Sequence, residues 1–169
     1  REDPKAYFYP ASTVKFPVML LAFEKMKRLG IPGLNRSTAM YHDSVYSGQR
    51  SVREDTTAEG GAPSLGHYAK KIMVVSDNDA YNRLYEFVGQ RTINDELERK
   101  GYRARILHRL ERSLTPAQNR HTEAVRFMNR DTLVYRQPML VNDSITSGRK
   151  ILRGKGYFKG GLLVRKPMD

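Results

Sequence analysis

An apolar run without a polar face constrains this fold more than any other stretch. Val18, Met19, Leu20, Leu21, Ala22 and Phe23, preceded by Phe16, lie in a segment that reads as one helix over 13–29. A helix apolar on nearly every side must bury its first half among other elements. Glu24, Lys25, Lys27 and Arg28 return it to solvent, and Gly30 followed by Pro32 stops it. Pro17 is late for a first-turn proline, which predicts a bend or a tight 3₁₀ start. No apolar run approaches the roughly 20 residues of a membrane span.

The remaining elements must supply that burial, and 169 residues suffice for one domain with a core. Ser64 predicts an N-cap for a second helix, with Leu65, Tyr68, Ala69, Ile72 and Met73 at helical spacing and an end near Val75. A third helix is expected over 79–88, stopping at Gly89, and a fourth over 92–100, capped by Thr92 and stopped by Gly101. Residues 35–63 read as irregular, ending in the breaker cluster Gly60-Gly61-Ala62-Pro63. The Arg-rich stretch 102–120 reads as a long loop, a feature that compact domains often reserve for function. A short helix is expected over 123–129 and a short strand over 132–135, before a basic, Gly-punctuated tail. Tyr7, Tyr9, Tyr81 and Tyr85 suit packing better than ligand stacking. These readings make the chain mostly α, in two parts: a helical domain over 1–130 and a basic extension over 131–169.

Chemistry enters at the mouth of the first helix, where Ser12 precedes Lys15 by three residues. A serine hydroxyl is a poor nucleophile near neutral pH and needs a base beside it. Residues three apart on a helix stack about 5–6 Å apart at Cβ, so a lysine amine there can fold back onto the hydroxyl. Burial disfavours the ammonium and makes a free amine available. The first turn also leaves backbone N–H groups unpaired, and that of Ser12 can help hold an oxyanion. Ser147 and Lys150 repeat the spacing in a basic loop with no apolar helix after it.

Ser76-Asp77-Asn78 falls on the turn between the second and third helices. Ser76 offers a hydroxyl to relay a proton, and Asn78 offers an amide to grip a substrate carbonyl or the lysine. An Asp or Asn there also suits an N-cap. Ser-x-x-Lys followed by Ser-Asp-Asn resembles the class A β-lactamases and their relatives among penicillin-recognising serine hydrolases. The resemblance covers roughly residues 8–130. It implies the helical domain of a mixed α/β fold, with most of the sheet missing from what would be a fragment. The family's Ω-loop element, Glu-x-x-Leu-Asn, has its counterpart in Glu111-Arg112-Ser113-Leu114-Thr115. Glu111 would hold the water that attacks the acyl-enzyme. Thr115 replaces the asparagine that normally shares this water, so slow deacylation is expected. The third family motif, Lys-Thr/Ser-Gly, has only Lys159-Gly160-Gly161 as a distant counterpart.

The resemblance implies a small-molecule β-lactam or peptidoglycan-like substrate, no metal or organic cofactor, a monomer, and a place in the periplasm or outside the cell. A D-alanyl-D-alanine peptidase-like enzyme or an esterase of the same fold fits the same residues. With no cysteine, disulfides, thiol catalysis and Cys-ligated zinc are excluded. His42, His67, His108 and His121 lack metal-ligand spacing. The net charge of +12 leaves a rival reading, a non-catalytic basic helical module for nucleic acid or an anionic surface. Its cations are spread along the chain without any recognition-helix or RNP pattern, which favours a solvated cationic surface and no nucleic acid.

Overall fold

Helix α1 spans Lys15–Leu29 in the computed structural model, which describes residues 10–143, 157–159 and 162–164. A 3₁₀ turn over Ala11–Val14 leads into it. Pro17 therefore falls in the first turn of α1, where its missing N–H has no partner to lose. Gly30 ends the helix at φ 59°, a left-handed conformation that glycine takes without strain. Burial of α1 is less complete than its apolar run suggests. Val18, Leu21 and Ala22 are buried, but Phe16 and Leu20 are 50% and 48% exposed.

The helix enclosed on every side is α3, Asn78–Val88, in which each residue from Ala80 to Val88 is buried. It packs against α1, against α2 (Leu65–Val75) and against α4 (Gln90–Arg99). Ser64 caps α2 by accepting the His67 N–H at 3.2 Å. Gly89, at φ 91°, is both the last cap of α3 and the first of α4. Thr92 thus lies inside the first turn of α4 instead of capping it, because the sharp break comes at the glycine. The Arg-rich stretch contains one short helix, α5, Pro116–Arg120.

Strands β1 (Ala39–Asp43), β2 (Ala124–Asn129) and β3 (Thr132–Gln137) form an antiparallel sheet in the order β1-β2-β3. Two expectations are corrected here. The segment 35–63 carries β1, and 123–129 is strand, not helix. In β2, Val125 and Phe127 alternate inward while Arg126 reaches Asp43 on β1 at 2.5 and 2.9 Å. Phe127 meets Phe87 of α3 edge-on at 5.2 Å, which seats the sheet on the helices. The β2–β3 hairpin crosses the 130/131 boundary. Strands β4 (Tyr157–Lys159) and β5 (Leu162–Val164) pair in a second small sheet. The fold is mixed α/β, with more strand than a mostly α chain. Tyr7, Tyr9, the second Ser-x-x-Lys at 147–150, and Gly160-Gly161 lie outside the described residues.

Charged residues penetrate the core. Arg109 pairs with Glu86 at 2.5 Å, with side chains 2% and 1% exposed. Arg83 pairs with Glu123, and His42 Nδ1 lies 3.6 Å from the same carboxylate. Burial and the neighbouring Glu86 charge push the Glu123 carboxyl up to about 7. Glu86, Glu123 and His42 stand close enough to share a cation. The two guanidiniums already neutralise the carboxylates, so the cluster behaves as a buried ion-pair network.

Lys25 is a cation half-buried beside Phe87. It donates to Gln137 Oε1 at 2.7 Å and to the Phe87 carbonyl at 2.5 Å, with the ring centroid 4.7 Å away. Burial, helped by Arg28, pulls its pKa from 10.5 down to about 8. Between those values the unfolded chain binds the extra proton, so raising the pH favours the fold. Relative to Lys25→Met, the native protein should gain on the order of 1 kcal/mol between about pH 7.5 and pH 9.5. Urea unfolding at both pH values measures this, and an unchanged difference would contradict it.

Candidate active site

The 3₁₀ turn fixes the first pair. With three residues per turn, side chains at i and i+3 eclipse, so Ser12 and Lys15 project from one side of the junction. Ala11 enters the turn at φ 45°, a left-handed conformation that an L residue adopts only at a cost of about 1–2 kcal/mol. Ser12 is exposed, whereas Lys15 is 2% exposed. Among the described residues, the Lys15 ammonium donates to Ser76, to the carbonyl oxygen and, at 3.0 Å, to Oγ. Burial lowers its pKa, and the carboxylates of Asp77 and Glu111 partly restore it. The result is a sequestered amine linked to the Ser76 hydroxyl, with the Asp77 and Glu111 carboxylates within electrostatic reach.

Ser76 sits at the end of α2 at φ 54° and ψ 43°. Its N–H donates to Ile72 O at 3.1 Å, and that of Asp77 reaches Lys71 O at 3.4 Å, closing the helix end. Such a turn usually takes glycine; a serine there stores strain and aims its hydroxyl at a fixed point. Asp77 then caps α3 by accepting the Ala80 N–H at 2.7 Å. Lys71 ties this turn to the segment before α2, with Asp77 at 3.3 Å and Asp55 at 3.0 Å. Asn78 is the first residue of α3 and is half-buried.

Glu111 belongs to a stretch, 102–115, held almost without backbone ladders. Side chains of α3 and α4 grip its main chain instead. Asn82 donates to Leu110 O at 2.9 Å and accepts from Leu110 N at 2.8 Å. Asn94 does the same for Ile106, at 2.9 Å in both directions. Gln90 donates to Leu107 O at 2.6 Å and Tyr81 to His108 O at 3.1 Å. Arg109 plugs into Glu86 and also donates to the Gln118 carbonyl at 2.7 Å. Glu111 follows at φ 52° and is exposed.

The geometry brings Lys15 and Ser76 into contact, and sets Glu111 within electrostatic reach of the amine. Ser12 lies one 3₁₀ turn before Lys15, with no hydrogen bond between the two side chains among the described residues, and Asn78 lies two residues beyond Ser76. Thr115 serves the fold as the cap of α5. Its Oγ accepts from Gln118 N at 3.2 Å while Gln118 Oε1 accepts from Thr115 N at 2.9 Å, which completes a capping box. The sequence marked Asp77 as a possible cap, a role it fills, but did not single out Lys71 and Asp55, which fix the turn, or Asn82, Asn94 and Arg109, which fix the loop. The available signal was the amides Asn82 and Asn94, each set beside apolar helix positions, Tyr81 and Leu84 in α3 and Ile93 and Leu97 in α4.

A family model described as "Beta-lactamase enzyme family" matches residues 2–157. No curated protein and no solved structure matches the chain.

Proposed function

The chain belongs to the beta-lactamase enzyme family, and from that premise we propose that it is a serine hydrolase forming an acyl-enzyme on Ser12. Membership supports a β-lactamase-like hydrolase acting on small molecules. The finer reading assigns steps to residues. Ser12 Oγ attacks the carbonyl carbon of a β-lactam, or of a related amide or ester, and its proton passes to the free amine of Lys15. The Ser12 N–H helps hold the oxyanion. As the carbon–nitrogen bond breaks, the proton travels from Lys15 through the Ser76 hydroxyl to the leaving nitrogen. Asn78 orients the substrate amide. Water activated by Glu111 attacks the ester carbonyl, releases the acid and regenerates Ser12.

One observation carries this reading: a buried lysine with a lowered pKa, one hydrogen bond from a hydroxyl held in a left-handed turn. A lysine serving only as a surface cation would not be buried against that hydroxyl. Incubation with benzylpenicillin, followed by mass spectrometry, should find the acyl group on Ser12, and Ser12→Ala should abolish it. An adduct on another residue, or hydrolysis unaffected by Ser12→Ala, would overturn the assignment. The lifetime of the adduct separates a true β-lactamase, which clears it, from a peptidase-like relative, which keeps it.

A further inference from the structure

Beside the proposed site lies a cleft of about 460 Å³ whose walls are cationic. Arg50, Arg53, Arg83 and Arg112 line it, against the carboxylates of Glu54 and Asp79. Two of the guanidiniums are already committed. Arg83 bonds Asp79 and the buried Glu123, and Arg112 donates to Asp79 at 3.1 Å. Asp79 therefore has no charge left for an incoming cation. The Arg50 guanidinium has no carboxylate partner among the described residues. Arg53 reaches Asp43 only at 3.5 Å and is 66% exposed, while Asp43 is already held by Arg126 at 2.5 Å. The cleft thus presents Arg50, which forms no ion pair among the described residues, and Arg53, held only by its long contact to an Asp43 that Arg126 already neutralises.

Their position is fixed from both sides. Val52 pairs with His42 of β1 at 2.8 and 2.9 Å, and Asp55 is anchored by Lys71 and His67, each at 3.0 Å. Lys71 in turn holds Asp77. Across the cleft, Arg112 follows Glu111 directly, and Asp79 follows Asn78. The cleft is thus lined by the chain neighbours of Asn78 and Glu111, two of the residues proposed to act on substrate.

We infer that this cleft is a substrate subsite in which Arg50 and Arg53 recognise a carboxylate carried by the substrate's acyl side chain. The inference rests on the acyl-enzyme reading for its substrate, and on the cleft alone for its anion. Guanidinium forks match carboxylates in geometry, and field lines focused in a cleft raise the local concentration of anions. Arg50 forms no ion pair among the described residues and Arg53 makes only the exposed contact to Asp43, a kind of pair worth little to stability, so reversing both should leave the fold in place, which circular dichroism checks.

The test compares carbenicillin, whose side chain bears a carboxylate, with benzylpenicillin, whose side chain does not. Acylation of Ser12 in the full chain is followed by mass spectrometry at low salt. Carbenicillin should react faster, and Arg50→Glu/Arg53→Glu should slow it about tenfold or more with little effect on benzylpenicillin. A control with the same charge change on exposed residues elsewhere, Lys27→Glu/Lys70→Glu, should leave the preference intact. Equal slowing by control and cleft variants, or no preference at all, would overturn the subsite. If neither penicillin labels Ser12, the acyl-enzyme reading fails and titration with citrate decides the cleft. Saturable binding lost in Arg50→Glu/Arg53→Glu upholds it as an anion site, and absent or unaltered binding removes it.

Discussion

Replacing Lys15 by methionine is expected to slow acylation of Ser12 by benzylpenicillin about 10²–10⁴-fold and to leave the fold intact. Methionine keeps the buried stem of α1 and loses only the amine. Circular dichroism checks the fold, and timed mass spectrometry of the adduct checks the rate. The pH dependence follows from the same group. The amine acts as base only when free, so acylation should accelerate as pH rises through the Lys15 pKa. Burial lowers that pKa, and the acceleration begins below the range of an ordinary lysine. Glu111 pulls in the opposite direction by favouring the ammonium. Glu111→Gln should therefore shift the rise to lower pH, while Lys15→Met should flatten it. A rise that persists unchanged in Lys15→Met would mean that another group takes the serine proton.

Arg109→Met should be the most destabilising change of those considered. It leaves the Glu86 carboxylate, 1% exposed, with its countercharge gone. Breaking one partner of a buried pair costs about 3–5 kcal/mol, against about 5–15 kcal/mol for a whole domain. It also removes the donor that ties the Gln118, Asn119 and His121 carbonyls to α3. Urea unfolding should show the loss as a lowered midpoint. The double variant Arg109→Met/Glu86→Leu should recover a sizeable part, since both charges leave together. Equal costs for single and double variants would show that the carbonyl contacts, not the ion pair, dominate.

How much of this was legible in the sequence depends on what each residue type announces. Gly30 and Ser64 sit where an αL stop and an N-cap were expected, because those roles are local. Strand β1 was hidden because one of its inward positions is His42, which a polarity pattern assigns to solvent. Strand β2 was mistaken for helix because Glu123-Ala124 reads like a first turn, although Val125 and Phe127 already alternated. Enclosure of α3 was hidden by Asn82, Arg83 and Glu86, whose partners lie on distant segments. Ser12, Lys15 and the turn at 76–78 could be singled out because their chemistry depends on short spacings. The contact between Lys15 and Ser76 spans 61 positions and needed the fold.

The clamps on the loop that carries Glu111 have a consequence for how such a molecule diversifies. Asn82, Asn94, Gln90 and Tyr81 hold amide and carbonyl groups of 106–110, atoms that nearly every amino acid supplies. Ile106 and Arg109 are buried and fixed by the core, but the side chains of the half-buried and exposed positions, Leu107 and His108, are under no such constraint from the clamps while the loop's path stays put. Exchanges at those positions can alter the surface beside Glu111, with the cost of keeping shape borne by helices that do not change.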